Sequence, residues 1–426
     1  MRAVSRRRAL GLGAGALLGG ALAACSDAPA QGNREGTGGT GGTESPDSTG
    51  SAGDSGTLTD VTIGFLPITC SSPIIAAEAR GIFAKHGLNV TLKKFAGWAE
   101  VWSAYASGEL HVAHMLAPMP LAIHHGLATR ATPTKLAVIA NTNGQGLTLA
   151  NKHMGVAKPE DMEGFTLGVP FDFSIHNLLL RDYLTSGGLD PDRDVQLRLM
   201  RPADMVANLA TDNIDGFLGP GPFNQRSITA GHGHLHRLTG DMWDGHPCCS
   251  LAANADWAAE NPATYRALAA AVAESALWCD DPNHRHDIGD VLAPEKYLNQ
   301  DPALLKSVLT GSVAAGAGRE PVDPAVAAKR VSFRPMPEVP AGMWIGTQLS
   351  RWGLGDIADH GDTAGLRRAV EDVFDVSGAA DALASVDSPE SATAAPPRTA
   401  PDTFEVNGRR FDAADPWAWT DKEIAR

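Results

Sequence analysis

The chain has 426 residues, 43% of them hydrophobic and 20% charged, and its 35 basic against 49 acidic residues give a formal charge of −14. That length is enough for a two-lobed protein with real cores, and the acidic balance excludes nucleic-acid or anionic-lipid binding over a broad surface. It leaves room for a small local anion site.

Arg2 and Arg6-Arg7-Arg8 precede an apolar run from Leu10 to Leu22. The run is too short for a permanent membrane span, so residues 1–24 read as a cleavable export signal. Ser5-Arg6-Arg7 points to the twin-arginine route. Leu22-Ala23-Ala24-Cys25 is similar to a bacterial lipobox, whose cysteine is acylated. The expectation is an extracytoplasmic chain anchored through lipidated Cys25 to the outer face of the cytoplasmic membrane. Without the four signal arginines, 31 basic residues face 49 acidic ones, a charge of −18. Residues 25–57 are rich in Gly, Ser, Thr and Asp and predict a disordered tether, spanning on the order of 30 Å. No later apolar run approaches the length of a membrane span, so the lipid is the expected membrane attachment.

The body opens with a β-rich run, Val61–Leu66, followed by Pro67 and a polar turn at Thr69-Cys70-Ser71-Ser72. Pro73 stands at the first position of a predicted helix that ends at Gly87, and Leu88–Lys93 is the next strand. Strand, loop, helix, strand is an α/β signature that puts the first loop at the carboxyl edge of a sheet. A weak internal echo follows about 100 residues apart. Helix 99–106, strand 110–115 and a Pro-rich loop at Ala117–Pro120 are matched by helix 203–210, strand 214–218 and a loop at Gly219–Pro222. The echo predicts two similarly built lobes. Phe165–Val169 reads as a strand, Pro170–Ser174 as a loop, and Ile175–Thr185 as a helix capped by Asp172 or Ser174. Such a helix start suits an anion. Residues 255–279 read as one or two long helices returning to the first lobe. The predicted organisation is lobe 1 from 58–162 and 255–384, lobe 2 from 163–254, and an Ala/Pro/Ser-rich linker and tail over 385–426.

Five cysteines are present, Cys25, Cys70, Cys248, Cys249 and Cys279, with no zinc-ribbon or Cys-x-x-Cys spacing. His232, His234 and His236 alternate, so a strand would place them on one face, as a surface metal site or as part of a solvated loop. There is no Gly-x-Ser-x-Gly, Walker loop or His-Glu-x-x-His, so neither enzyme activity nor ATP hydrolysis is expected, and no cofactor or metal is assigned.

Taken in order, the segments resemble the substrate-binding proteins of nitrate and bicarbonate ABC importers. The resemblance is carried by Gly64-Phe65-Leu66-Pro67-Ile68-Thr69, Gly81–Leu88, Gly97-Trp98-Ala99 and His114–Pro120. Asn141–Gln145, His176 with Arg181, Gly187–Asp192, Pro202–Asn208, His246-Pro247 and Arg351-Trp352-Gly353 extend it. It implies an α/β, two-lobed periplasmic-binding fold, with mixed sheets flanked by helices and a hinge between lobes. It also implies a solute-binding lipoprotein that captures a small oxyanion, nitrate or nitrite foremost, and delivers it to a membrane permease with a separate ATPase. Bicarbonate, sulfonates such as taurine, or a sensing role on the same fold are the alternatives. The implied pocket is Trp98, Gln145 and the Phe173-Ser174-Ile175 turn, with Thr69, Cys70, Cys248 and Cys249 at pocket-associated positions.

At three of these positions the chain departs from the family pattern. A charged residue after His-Pro is replaced by Cys248-Cys249, an acidic one after Thr69 by Cys70, and Gly-Gly-Thr by Phe173-Ser174-Ile175. Losing a charge-assisted donor costs about 1.5–3 kcal/mol. The cysteines have three readings: a disulfide from Cys70 to Cys248 or Cys249, a soft site for a thiophilic metal or sulfur-bearing ligand that includes His246, or buried free thiols packed as small apolar groups. Against the soft site, adjacent residues such as Cys248 and Cys249 are poorly placed to ligate one ion.

Overall fold

In the computed structural model, residues 59–320, 322–323, 330–393 and 401–420 are described. The export signal expected over 1–24, Cys25 and the tether expected over 25–57 lie outside them. Val61, Ile63 and Phe65 alternate along the first strand, β1 (Thr59–Phe65), and bury their side chains. The strands that follow are β2 (Leu88–Lys94), β3 (Val112–Leu116), β4 (Thr134–Thr142), β5 (Gln145–Ala150) and β6 (Thr166–Val169). Next come β7 (Gln196–Leu199), β8 (Gly216–Pro220), β9 (Gly233–Leu238) and β10 (Pro247–Asn254).

They form two five-stranded sheets, ordered β2-β1-β3-β10-β4 and β7-β6-β8-β5-β9. In the first, β1 runs parallel to β2 and β3, while β10 is antiparallel to β3 and β4. In the second, β6 runs parallel to β7 and β8, while β5 is antiparallel to β8 and β9. The two orders correspond strand for strand, which is the structural content of the sequence echo. Helices flank each sheet, and the fold is two-lobed.

Each sheet borrows one strand from the far side of the chain. β5 follows β4 but joins the second sheet, and β10 follows β9 but joins the first. The chain therefore changes sheet at Asn143-Gly144, ahead of the boundary expected at 163, and near His246, ahead of that expected at 255. Both crossings bend sharply: φ is +54° at Asn143, +94° at Gly144 and +81° at Gly245. At Gly144 a Cβ would also meet the Val331 Cβ at 2.8 Å, so glycine is required twice over. The crossings are bonded to each other. The Asn143 N–H donates to the His246 carbonyl at 3.1 Å, the Gly245 N–H to Asn143 Oδ1 at 2.9 Å, and Asn143 Nδ2 to Asp244 Oδ1 at 3.1 Å. This is the hinge.

The Pro-rich loops expected at 117–120 and 219–222 are helix starts instead, Pro118–His124 and Gly221–Thr229. Proline lacks only an N–H that a first helical turn leaves unpaired anyway, so Pro-x-Pro and Gly-Pro nucleate rather than break here. The helix expected to run to Gly87 is split into Ser72–Ala79 and Ile82–Lys85, because Gly81 adopts φ +72°. Residues 255–280 form two helices, Ala255–Glu260 and Pro262–Asp280, and the second packs Leu268 and Val272 into the core with Ile74 and Val138. Among the described residues no helix is long and apolar enough to cross a membrane.

The segment expected as a thin tail is part of the body. A hairpin of β11 (Thr403–Val406) and β12 (Arg409–Asp412) is followed by a turn of helix, Pro416–Trp419. Phe404 stacks on Trp243 at 4.5 Å, Trp243 meets Trp344 edge-on at 4.9 Å, and Trp344 meets Trp419 at 6.4 Å. Beneath the hairpin the fully buried Asp182 carboxylate receives Arg351 at 2.8 Å and Asn407 at 3.0 Å, with Arg409 at 3.7 Å.

Candidate functional site

The carboxyl edges of β1 and β6 and the two hinge crossings converge on one place. After β1 the chain turns tightly. Ser71 Oγ donates to the carbonyls of Leu66 and Ile68 at 3.0 and 2.6 Å, and Ser72 Oγ to that of Thr69 at 2.6 Å. These bonds hold Thr69 and Cys70 in a single helical turn with both side chains fully buried. From the hinge, Gln145 opens β5, and Cys248-Cys249 follow Pro247 at the start of β10.

Adjacent strand residues normally face opposite sides of a sheet. Here the ladder between β10 and β4 shifts register between Pro247 and Cys249 and again between Cys249 and Ser250. Cys248 is the extra residue of a bulge, which re-aims its side chain. Its Sγ lies 3.7 Å from that of Cys249 and 3.9 Å from that of Cys70. Among the described residues, these thiols are the one group of three His, Cys, Asp or Glu side chains whose ligating atoms converge, all within 4.8 Å. All are free thiols, as is Cys279. His232, His234 and His236 form no such group, and His236 instead meets the Tyr183 hydroxyl at 2.9 Å.

Gln145 joins the lobes. Its Nε2 lies 3.0 Å from Cys248 Sγ and 3.7 Å from Cys70 Sγ, and also donates to the Asn143 carbonyl. Its Oε1 accepts from Thr239 Oγ1 at 3.2 Å. The Cys249 N–H donates to Asn141 Oδ1 at 3.1 Å, fixing the bulge to β4.

Three buried histidines act electrostatically on Cys70. Buried His114 is held toward the Cys70 backbone, His176 is buried with neither ring nitrogen paired, and His246 is buried with Nε2 unpaired. Thr69 Oγ1 is likewise buried without a partner. Burial pushes His114 and His246 down to about 4 and His176 down to about 3, so all three are neutral near pH 7. Hydrogen bonds from Cys248 and Cys249 hold the Cys70 thiol well below its usual range, while burial pushes Cys248 and Cys249 well above theirs.

Trp98 begins the helix Trp98–Ala106, is buried, and lies with its ring 5.5 Å from that of His114. The remaining candidates serve other contacts. Phe173 stacks on Trp102 at 5.2 Å, closing one lobe against the other, and Arg201 pairs with Glu100 across the same gap. Ser174 Oγ caps the helix Ile175–Ser186 by accepting from the Asn177 N–H at 3.0 Å, and Ile175 is buried behind it. Of the sequence candidates, Cys70, Gln145, Cys248 and Cys249 touch one another. Sequence reasoning missed the roles of His114 and His176. A titratable residue inside the fully buried strand Val112–Leu116 was the available signal for His114.

It also missed Arg330. This guanidinium is buried, lacks partners at Nε and Nη2, and lines a cavity of about 20 Å³ with Gly144, Gln145, Gly146 and Asn224. The cavity has room for a water molecule. Burial pushes Arg330 down to about 10, so it is charged at neutral pH.

Two mirrored sheets joined by crossed strands, with polar groups buried at the hinge, define a two-lobed binding protein. The family model described as the NMT1-like family matches residues 54–293, and the chain belongs to that family, among nitrate/bicarbonate-type ABC substrate-binding proteins. It is 31% identical over 319 residues to the nitrate/nitrite binding protein NrtA of Synechococcus elongatus, covering 69% of this chain and 71% of that one. It is 33% identical over 317 residues to the nitrate import ATP-binding protein NrtC of Synechocystis sp., covering 70% of this chain but 46% of the relative. The chain therefore spans about half the length of that relative. In fold it is similar to the periplasmic nitrate-binding protein NrtA from Synechocystis PCC 6803, with a TM-score of 0.79 at 24% identity, over 86% of this chain and 98% of that one.

Proposed function

We propose that the chain is the extracytoplasmic solute receptor of an ABC importer, capturing nitrate or nitrite between its lobes and handing it to a membrane permease served by a separate ATPase. Residues 1–24 direct export, lipidated Cys25 anchors the chain, and residues 25–57 tether the body within reach of the permease. The observation that carries this reading is Gln145. It stands at the hinge, opens a strand of the second sheet, and touches Cys248 and Cys70 at the edge of the first. A ligand held there is held by both lobes, so binding and closure are one event. A planar, weakly basic oxyanion asks for N–H donors, which Gln145, Trp98 and the start of the Ile175–Ser186 helix supply. Arg330 adds a buried positive charge in the cavity that it lines with Gln145. The likeness to nitrate/nitrite binding proteins supports the same ligand class.

A thermal-shift screen of the full chain, reduced, against nitrate, nitrite, bicarbonate and taurine tests this. Nitrate or nitrite should raise the midpoint in a saturable manner, and a shift with taurine or bicarbonate alone would overturn the ligand assignment.

A further inference from the structure

The pocket has a second chemistry that nitrate does not use. We infer that Cys70, Cys248 and Cys249, with one imidazole from His114, His176 or His246, form a binding site for a single thiophilic d10 metal ion, Zn2+ or Cu(I). The first ground is geometry. Sulfurs at about 2.3 Å from a tetrahedral zinc lie about 3.8 Å apart. The thiols stand at 3.9 and 3.7 Å, with all three sulfurs within 4.8 Å, so a metal could enter with little movement of the backbone. The bulge at Cys248 removes the usual objection to neighbouring cysteines as ligands to one ion.

The second ground is independent of the sulfurs. Both ring nitrogens of His176, and Nε2 of His246, are buried with no partner. Native interiors rarely leave such atoms unpaired, and an ion or water is the usual resolution. Each of these imidazoles is close enough to Cys70 to interact with it electrostatically. A neutral imidazole is the form that ligates a metal. Packing of the cysteines as small apolar groups leaves these nitrogens unexplained.

The third ground is the donor set. Thiolate and imidazole select Zn2+ or Cu(I), whereas Mg2+, Ca2+ and Mn2+ require carboxylate and carbonyl oxygen. The converging group is the three thiols, with no carboxylate among them; the imidazoles lie outside it and act on Cys70 electrostatically. Each thiol that coordinates releases one proton to solvent, and no electron changes hands.

This inference shares the cleft with the receptor reading but not its ligand, so each is measured without the other. The full chain, reduced, metal-free and nitrate-free under argon, is titrated with Zn2+ against a competing chelator and separately with Cu(I) against a Cu(I)-specific chelator. One equivalent should bind with a Kd below about 1 µM in at least one arm. Cys248→Ser should weaken it by about 100-fold or more. Cys279→Ser, whose thiol is buried in a separate cluster with Trp278 and Phe333, should bind as the parent does. Co2+ loaded into the unaltered chain should show a thiolate-to-metal charge-transfer band, a readout independent of how the serine variant folds. Failure of both ions to bind tighter than about 1 µM, or absence of the thiolate band, overturns the site and leaves the nitrate result standing.

Discussion

Replacing Arg330 with methionine should make the protein more stable and a worse receptor. The guanidinium is 8% exposed, has two unpaired donors, and is held by burial at about 10 against the usual 12.5. At about 1.4 kcal/mol for each tenfold change in proton affinity, that burial costs the charged form about 3 kcal/mol. Methionine keeps a long flexible chain in the same space and removes the charge and both orphan donors. The attraction to Asp241 is lost as well, so the net gain should be about 1–3 kcal/mol. Urea unfolding at pH 7 reads this as a higher midpoint with an unchanged slope. Nitrate affinity by calorimetry should fall about tenfold, because the charge beside Gln145 is gone. A lower midpoint would mean that Arg330 is structural, and unchanged affinity would remove it from the anion site.

Gln145→Ala should weaken nitrate binding about tenfold while costing no more than about 2 kcal/mol of stability, since Thr239 retains its bond to the residue 145 carbonyl at 3.2 Å; equal nitrate affinities by calorimetry would refute the assignment. Arg351→Met leaves the fully buried Asp182 carboxylate with Asn407 at 3.0 Å and Arg409 at 3.7 Å, and should cost about 3 kcal/mol in urea unfolding. The buried histidines give a pH signature. His114 and His246 titrate at about 4 and His176 at about 3 in the fold, against about 6.5 when unfolded. The unfolded chain binds the extra protons, so stability is full above pH 6.5 and falls as pH drops from there toward 4. Urea midpoints at pH 7 and 4.5, without metal, should differ less in a His114→Gln, His176→Gln double variant than in the parent.

The fold was legible because its local signals agree. Alternating Val61, Ile63 and Phe65, the cap at Ser174 and the echo between residues 99–120 and 203–222 all point to paired α/β lobes. What the sequence hid was exchange between the lobes. Gln145 and Cys248 lie close in space because β5 and β10 each cross to the other sheet, and an Asn-Gly or Asp-Gly pair reads the same at a hinge as at a turn. The candidate thiols were visible as residue types, but their convergence depends on a bulge, which no periodicity announces. Arg330 sits in an ordinary Lys-Arg pair, and only burial distinguishes it. The C-terminal segment was underestimated because its length and leading linker outweighed its aromatic content. Phe404, Phe411, Trp417 and Trp419 within 20 residues signal a docked element, and three of the four are fully or almost fully buried.

The central claim is that this hinge pocket binds a small oxyanion, and calorimetric titration of nitrate and nitrite into the reduced, metal-free full chain tests it most directly. The account predicts one saturable site for at least one of the two anions, weakened in parallel by Gln145→Ala and Arg330→Met. No heat of binding from either anion, or binding that both variants leave untouched, would contradict it.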